Sequence, residues 1–169
     1  MLELKQGADI LAEIGGVNSI EQANALLNKN LDQENLAKLS LIKNKEALIK
    51  IANSISICEP DFVFIDSGSP EDIDWIREYS VTKGEERQLA KKGHTIHFDL
   101  PQDQARLVKQ TYYIVNENEK LSALAQSIPR SEALDYTRTY IRGIMKGMTM
   151  IVGFFGRGPA GAEATIPAI

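Results

Sequence analysis

Cysteine is almost absent from this sequence of 169 residues, in which Cys58 is the single example. One thiol cannot form a disulfide within the chain, and the only two histidines, His94 and His97, do not complete a Cys/His spacing typical of zinc sites. Both absences are typical of a protein that works in a reducing compartment. We therefore expect a cytoplasmic protein.

Long apolar runs and an excess of basic residues are also missing. No stretch approaches the roughly 18 residues of a membrane span, and the first residues lack the continuous apolar segment of a signal peptide. Lys and Arg number 19 against 23 Asp and Glu, which gives a formal net charge of −4. Because nucleic-acid-binding domains usually carry a clustered basic face, we expect neither nucleic acid nor a membrane as a partner.

The composition that remains is that of an ordinary globular domain, 43% hydrophobic and 25% charged. A chain of this length buries about 68–70% of its unfolded surface in one domain without disulfides or metal. No repeat, low-complexity linker or change in composition divides it, so the sequence predicts one domain over residues 1–169. The apolar pattern of Ala164–Ile169 stops abruptly, and we expect this domain to be an incomplete portion of a longer protein.

Helices are predicted throughout the first third. Ser19 and Gln22 have the form of a capping box ahead of a helix from about Ile20 to Asn28, and Asp32 stands where it can cap another. Apolar residues at helical spacing predict a further helix that ends near Cys58–Pro60; they are Ala47, Leu48, Ile51, Ala52 and Ile55.

Both strands and helices are predicted from Asp61 onwards. Phe62–Ile65 is typical of a buried strand, and Ser69 with Pro70 begins a helix that ends near Gly84. Further strands are predicted at Thr95–Phe98, Thr111–Val115 and Thr149–Phe155, and a helix from Ser131 to Gly147. Residues expected to face inward on the two helices are Ile73, Ile76 and Tyr79 or Ser80, and Leu134, Thr137, Ile141 and Ile144. The fold class is α/β, with α+β as the alternative: a mixed β-sheet flanked by helices.

Two sets of residues invite a functional interpretation beside a plainer one. Gly153, Gly156, Gly158 and Gly161 follow an apolar strand and allow a phosphate to approach the backbone, but no P-loop lysine follows, so we favour a structural turn. His97 and Asp99 lie on one face of a strand and can act as an acid–base pair, whereas His94 lies on the other face. Because this spacing is common by chance, we favour a structural role here too.

Arg106 is the candidate for binding a substrate. Its planar guanidinium can hold both oxygens of a carboxylate, although spacing alone favours a solvated surface arginine. Asp72 and Asp74 stand two apart on a helix and make a poor metal pair. Trp75 is expected to pack against the core or another helix.

Several separated motifs resemble the GTP-dependent phosphoenolpyruvate carboxykinases. Met145–Pro159 contains lysine-glycine-x-threonine-methionine, an apolar strand and glycine-proline, as in that family. Gly93–Asp99, Asp103–Arg106 and Ser69–Ile73 are similar to its archaeal-type branch, and the likeness runs in order from about Leu31 to the end.

The resemblance implies a carboxy-lyase of gluconeogenesis that converts oxaloacetate and GTP to phosphoenolpyruvate, carbon dioxide and GDP. It implies Mn²⁺ and Mg-GTP as cofactors of the full-length enzyme, and it gives Arg106 the position of the family's carboxylate-binding arginine. Met148 stands where many members carry arginine or histidine, which puts any contact of a basic side chain there in doubt.

The family's P-loop, metal ligands and guanine pocket lie beyond the glycine-proline segment. We therefore expect residues 1–169 to be an N-terminal portion that is inactive alone and contains no catalytic, cofactor-binding or metal-binding residue. Its expected partners are oxaloacetate or phosphoenolpyruvate and the C-terminal domain of the same enzyme. Two alternatives stay open: a free-standing, non-catalytic carboxylate-binding or interaction module of the same fold, and an unrelated α/β domain with chance similarity.

Overall fold

The computed structural model describes residues 10–100, 107, 111–119, 121–159, 161–163 and 165–169. The chain divides into two compact units, which we treat separately. Unit 1 comprises residues 1–67 and 134–169, and unit 2 comprises residues 68–133. The mixed α/β fold class is confirmed, and the strands of the described residues form four two-stranded sheets, two of them parallel and two antiparallel.

The described part of unit 1 begins with four helices, and the second and third of them start at the predicted caps. The Ser19 hydroxyl accepts a hydrogen bond from the Gln22 amide, and the Asp32 carboxylate accepts one from the Asn35 amide. Gln22 completes the first cap by accepting from Asn18. The helices are α1 (Ile10–Gly15), α2 (Ile20–Asn30), α3 (Gln33–Leu39) and α4 (Lys45–Cys58).

The centre of unit 1 is a short parallel sheet packed against α4. Strand β1 (Phe62–Ile65) pairs in register with β6 (Thr149–Val152), and Asp61 ties the start of β1 to the other chain segment by accepting a hydrogen bond from the Gly147 amide at 2.9 Å. The predicted stripe of α4 lies in the core, with Ile51 and Ala52 nearly inaccessible to solvent. The helical spacing of the apolar residues thus predicted the buried face of α4 correctly.

Two asparagines are buried in unit 1. Asn53 of α4 binds both backbone polar groups of Val17, a pair of contacts that we call the Asn53 grip. Its Oδ1 accepts from the Val17 amide and its Nδ2 donates to the Val17 carbonyl, each at 2.9 Å. Asn35 accepts from the Ile65 amide at 2.7 Å. Since a buried peptide group left without a partner is costly, these side chains fix the connections of α1 and β1.

Unit 2 contains α5 (Pro70–Lys83), two strand pairs and the first residues of α6 (Arg130–Ile141). As predicted, Ser69 caps α5, Pro70 stands in its first turn and Gly84 ends it in the left-handed conformation. Strand β2 (Arg87–Gln88) pairs antiparallel with β3 (Thr95–Ile96), and β4 (Tyr113–Val115) pairs parallel with β5 (Ser127–Pro129). The predicted strands Thr95–Phe98 and Thr111–Val115 are thus present but shorter.

Two residues predicted to face inward are exposed. Ile73 of α5 is exposed, and the buried residue of that helix is Asp72. Ile144 is exposed because α6 ends at Ile141, earlier than the predicted Gly147. Gly143 ends the helical pattern: it has a positive φ of 65° and its amide donates to the Ile57 carbonyl of α4 instead of to its own helix.

The predicted strand Thr149–Phe155 is two strands. After β6 the chain passes Gly153 and continues as β7 (Phe155–Arg157), which pairs antiparallel with β8 (Ile166–Ala168). The Phe155 ring lies over Gly153, where a Cβ would be 2.8 Å from it, so any larger residue at this bend would displace the ring. None of the described helices combines the length and the apolarity needed to cross a bilayer.

Candidate functional site

The β2–β3 hairpin of unit 2 carries the two histidines and leads towards Arg106. After Gly84 the chain turns back, with the amides of Glu85 and Glu86 donating to the Ser80 carbonyl. The hairpin is closed by the Leu89 amide, which donates to the His94 carbonyl at 2.9 Å. These backbone bonds place His97 just beyond the end of β3.

His97 is held by two hydrogen-bond acceptors. Its Nε2 lies 2.8 Å from Asp99 Oδ1, and its Nδ1 lies 2.7 Å from the backbone carbonyl oxygen of Glu85. The sequence predicted that the His97 and Asp99 side chains share a face of a strand; they do lie together, but beyond the end of β3 at Ile96. The carbonyl of Glu85, followed by the Asp99 carboxylate, raises the pKa of His97 above its usual value. Both contacts favour the protonated form of the ring.

His94 does not join this cluster. Its imidazole makes no hydrogen bond within the described part of the chain, and it lies instead at a depression of about 500 Å³ between α5 and the hairpin. Arg77 and Lys92 line this depression together with the acidic Asp74 and Glu78, and Arg77 pairs with Asp74 at 3.7 Å. The mixed charge does not select a ligand of either sign.

Arg106, the predicted carboxylate-binding residue, lies outside the described residues, as does Asp103. The described chain reaches Leu100 ahead of this segment and includes Leu107 after it. The predicted binding role of Arg106 therefore stays a prediction.

The glycine-rich segment of unit 1 forms the turn of the β7–β8 hairpin. Thr165 closes this turn, because its hydroxyl donates to the Pro159 carbonyl and its amide donates to the Ala162 carbonyl. Gly158 has a φ of 126°, and a Cβ there would come within 2.9 Å of the Thr165 hydroxyl. The structural turn favoured by the sequence is confirmed over the described residues of this segment.

The remaining candidates have ordinary structural surroundings. Trp75 is half-buried and stacks on Tyr79, with ring centroids 5.0 Å apart. Met148 is exposed, next to the backbone contacts that join β1 and β6. Asp72 is buried and Asp74 is exposed, so the two do not form a metal pair.

Sequence reasoning missed the Glu85 carbonyl and the Asn53 grip on Val17. No sequence signal marks a backbone carbonyl as the partner of a particular side chain, because every residue has one. Asn53 also gave no signal, since a single polar residue beside an apolar stripe is usually solvated.

Comparison with known proteins identifies relatives for most of the chain. Residues 50–169 match the family model described as the phosphoenolpyruvate carboxykinase N-terminal domain. The chain is 36% identical over 144 residues to the phosphoenolpyruvate carboxykinase (GTP) of Saccharolobus solfataricus, which is 85% of this chain and 23% of that protein. It is 37% identical over 153 residues to the protein of the same name from Thermococcus kodakarensis, 90% of this chain and 24% of that protein. The chain thus spans about a quarter of the length of the curated relatives it matches.

Proposed function

Because the chain belongs to the phosphoenolpyruvate carboxykinase N-terminal domain family, we propose that it is the substrate-binding N-terminal portion of a GTP-dependent phosphoenolpyruvate carboxykinase. The full enzyme would convert oxaloacetate and GTP to phosphoenolpyruvate, carbon dioxide and GDP. The observation that carries the proposal is the 36–37% identity to GTP-dependent relatives over 85–90% of this chain.

Arg106 is the proposed contact to the substrate. A guanidinium presents two parallel N–H groups that match the two oxygens of a carboxylate, and both oxaloacetate and phosphoenolpyruvate carry one. The Asp103–Arg106 segment that resembles the family falls inside the matched range 50–169, which supports this role. In the proposed mechanism Arg106 orients the carboxylate and performs no chemical step.

The metal ions and the nucleotide are proposed to bind elsewhere in the enzyme. The described part of this chain brings no three His, Cys, Asp or Glu side chains together, so its described residues do not fit Mn²⁺ or the Mg²⁺ of Mg-GTP. We assign both ions and GTP to the C-terminal domain of the same enzyme, which is the proposed partner of residues 1–169. Alone, this chain binds substrate without turning it over.

The proposed compartment is the cytoplasm, and the proposed unit of function is one N-terminal domain over residues 1–169. Cys58 is buried, and burial raises the pKa of its thiol and favours the unreactive protonated form.

Titration of the purified chain with phosphoenolpyruvate, followed by ¹⁵N amide chemical shifts, tests the binding role. We expect saturable shifts in the wild type that are lost in Arg106→Ala and kept in Arg138→Ala, a control on an exposed arginine of α6 that pairs with Asp135. Unchanged spectra at millimolar ligand in the wild type would contradict the proposal. Equal binding by wild type and Arg106→Ala would assign the carboxylate to another residue.

Assay of the same protein with oxaloacetate, GTP and Mn²⁺ tests the catalytic part of the proposal. We expect no GDP or carbon dioxide above the rate without protein. Turnover by the chain alone would overturn its assignment as a binding portion. The alternative is a free-standing carboxylate-binding module. It would be favoured if this chain bound substrate without turnover and needed no further domain for its function.

A further inference from the structure

We propose that His97 is a positioning residue: in its protonated form it acts as a clasp that joins the residue entering the β2–β3 hairpin to the residue leading out of it. The inference deepens the proposed function and rests on it in one respect, since the outgoing segment continues to Arg106. The clasp itself consists only of residues that the structure describes.

The geometry requires two donors on one ring. Glu85 precedes β2 and Asp99 follows β3, so His97 lies across the open end of the hairpin between them. The two ring nitrogens lie 2.7 Å from the Glu85 carbonyl oxygen and 2.8 Å from the Asp99 carboxylate. Both partners only accept hydrogen bonds. A neutral imidazole has one N–H, so only the imidazolium can satisfy both.

The charges around the ring favour the same state. From the segment before β2, the carboxylate of Glu86 acts on the ring, and from the outgoing segment, that of Asp99. Both are acidic, and among the described residues no basic side chain contributes to the pKa of His97. His97 and Asp99 are each about half exposed, so the clasp is weakened by water and by salt.

Deprotonation breaks the clasp, because a neutral ring can donate to only one of its two partners. The pKa of His97 is raised in the folded chain. The stabilisation is therefore complete below the unfolded value of about 6.5 and is lost as pH rises through the folded value. The clasp is closed in mildly acidic solution and opens on the alkaline side of that raised value.

The clasp has a consequence for ligand binding. Asp99 stands seven residues before Arg106 in the sequence. Ordering a binding residue in advance reduces the entropy lost when ligand binds, so we expect an Asp99 held by His97 to favour carboxylate binding at Arg106. Carboxylate affinity is therefore expected to be higher when His97 is protonated.

Titration of the histidine side chains by ¹⁵N–¹H correlation NMR tests the clasp without any ligand. In the folded wild type we expect both ring nitrogens of His97 to stay protonated to higher pH than in the same chain unfolded in urea. Asp99→Ala should move the His97 titration towards the unfolded value, and His94→Gln should leave it unchanged. A His97 that titrates at or below its unfolded value would overturn the clasp.

A second arm compares phosphoenolpyruvate affinity at about pH 6 and about pH 8.5, on either side of the ordinary histidine range, in wild type, His97→Gln and His94→Gln. The phosphate of the ligand titrates too, but equally for all three proteins. We expect wild type and His94→Gln to lose about threefold more affinity at the higher pH than His97→Gln, the size of an exposed ion pair. Equal losses in all three, with binding intact, would overturn the positioning role.

The imidazole titration and the affinity measurement together distinguish a failure of the proposed function from a failure of the positioning role. If wild-type protein binds no phosphoenolpyruvate at either pH, the proposed function fails and the positioning role fails with it, while the imidazole titration still decides whether the clasp forms. If binding is present and lost in Arg106→Ala, an affinity loss at high pH that is as large in His97→Gln as in wild type overturns the positioning role alone.

Discussion

The Asn53 grip on Val17 is the strongest test of how unit 1 is held together. Asn53 is fully buried, and its side-chain amide hydrogen-bonds the backbone N–H and C=O of Val17, which lies 36 residues earlier in the sequence. Replacing it in Asn53→Ala removes both hydrogen bonds and leaves the Val17 N–H and C=O without their partner. Val17 itself is 6% exposed, so water reaches these groups poorly.

The expected loss follows from the two orphaned groups. Each buried donor or acceptor left unsatisfied costs about 1–3 kcal/mol, so two together cost about 2–6 kcal/mol. Single domains are stable by about 5–15 kcal/mol, and a loss of this size is a large fraction of the total. The packing of α1 and α4 should be the first to weaken.

Urea denaturation followed by far-ultraviolet circular dichroism measures this loss. We expect Asn53→Ala to lower the midpoint while the m-value stays constant, since the surface exposed on unfolding is nearly the same. Asn30→Ala is the matched control, because Asn30 is an exposed asparagine that donates only to the Leu26 carbonyl of its own helix; its effect should stay within about 0.5 kcal/mol. A loss below about 1 kcal/mol in Asn53→Ala would refute the reasoning, since it is less than one orphaned group costs.

Two further predictions concern glycine and an exposed apolar edge. Gly15→Ala should destabilise the fold by about 3 kcal/mol, because the new Cβ would lie 2.6 Å from the Asn53 Cγ. Gly16 has a φ of 78° but open space around it, so Gly16→Ala should cost only about 1 kcal/mol. Equal losses of stability in urea denaturation would contradict the steric argument. Phe155 of β7 is 68% exposed, so Phe155→Lys should reduce concentration-dependent association in sedimentation velocity, whereas Leu41→Lys, outside any strand, should not. A wild type that stays monomeric at high concentration would contradict the second prediction.

Local features were predictable from the sequence because their causes lie within four residues. Ser19, Asp32 and Ser69 each accept a hydrogen bond from the amide three positions later, and this chemistry depends only on residue type and spacing. The αL conformation that ends α5 at Gly84 is equally local. The positions where these helices begin or end were therefore correct or nearly so.

Long-range features were not predictable, because they depend on which distant segments meet. Helix α6 ends early where the Gly143 amide donates to the Ile57 carbonyl. The residues around Gly143 in the sequence do not indicate that Ile57 is its partner. The division of the strands into four separate pairs has the same origin. Pairing in a sheet requires two chains to be brought together, and their sequences alone allow many partners.

The candidate site combines both kinds of information. The sequence alone predicted that His97 and Asp99 lie close together, although both lie beyond the end of β3 and not on a strand face. It also showed that the segment around Arg106 resembles a carboxylate-binding one. Only the tertiary structure placed the Glu85 carbonyl on the second nitrogen of His97. That contact needs the turn after α5 and the closed hairpin, and it makes the difference between an isolated pair and a ring whose two nitrogens both face hydrogen-bond acceptors.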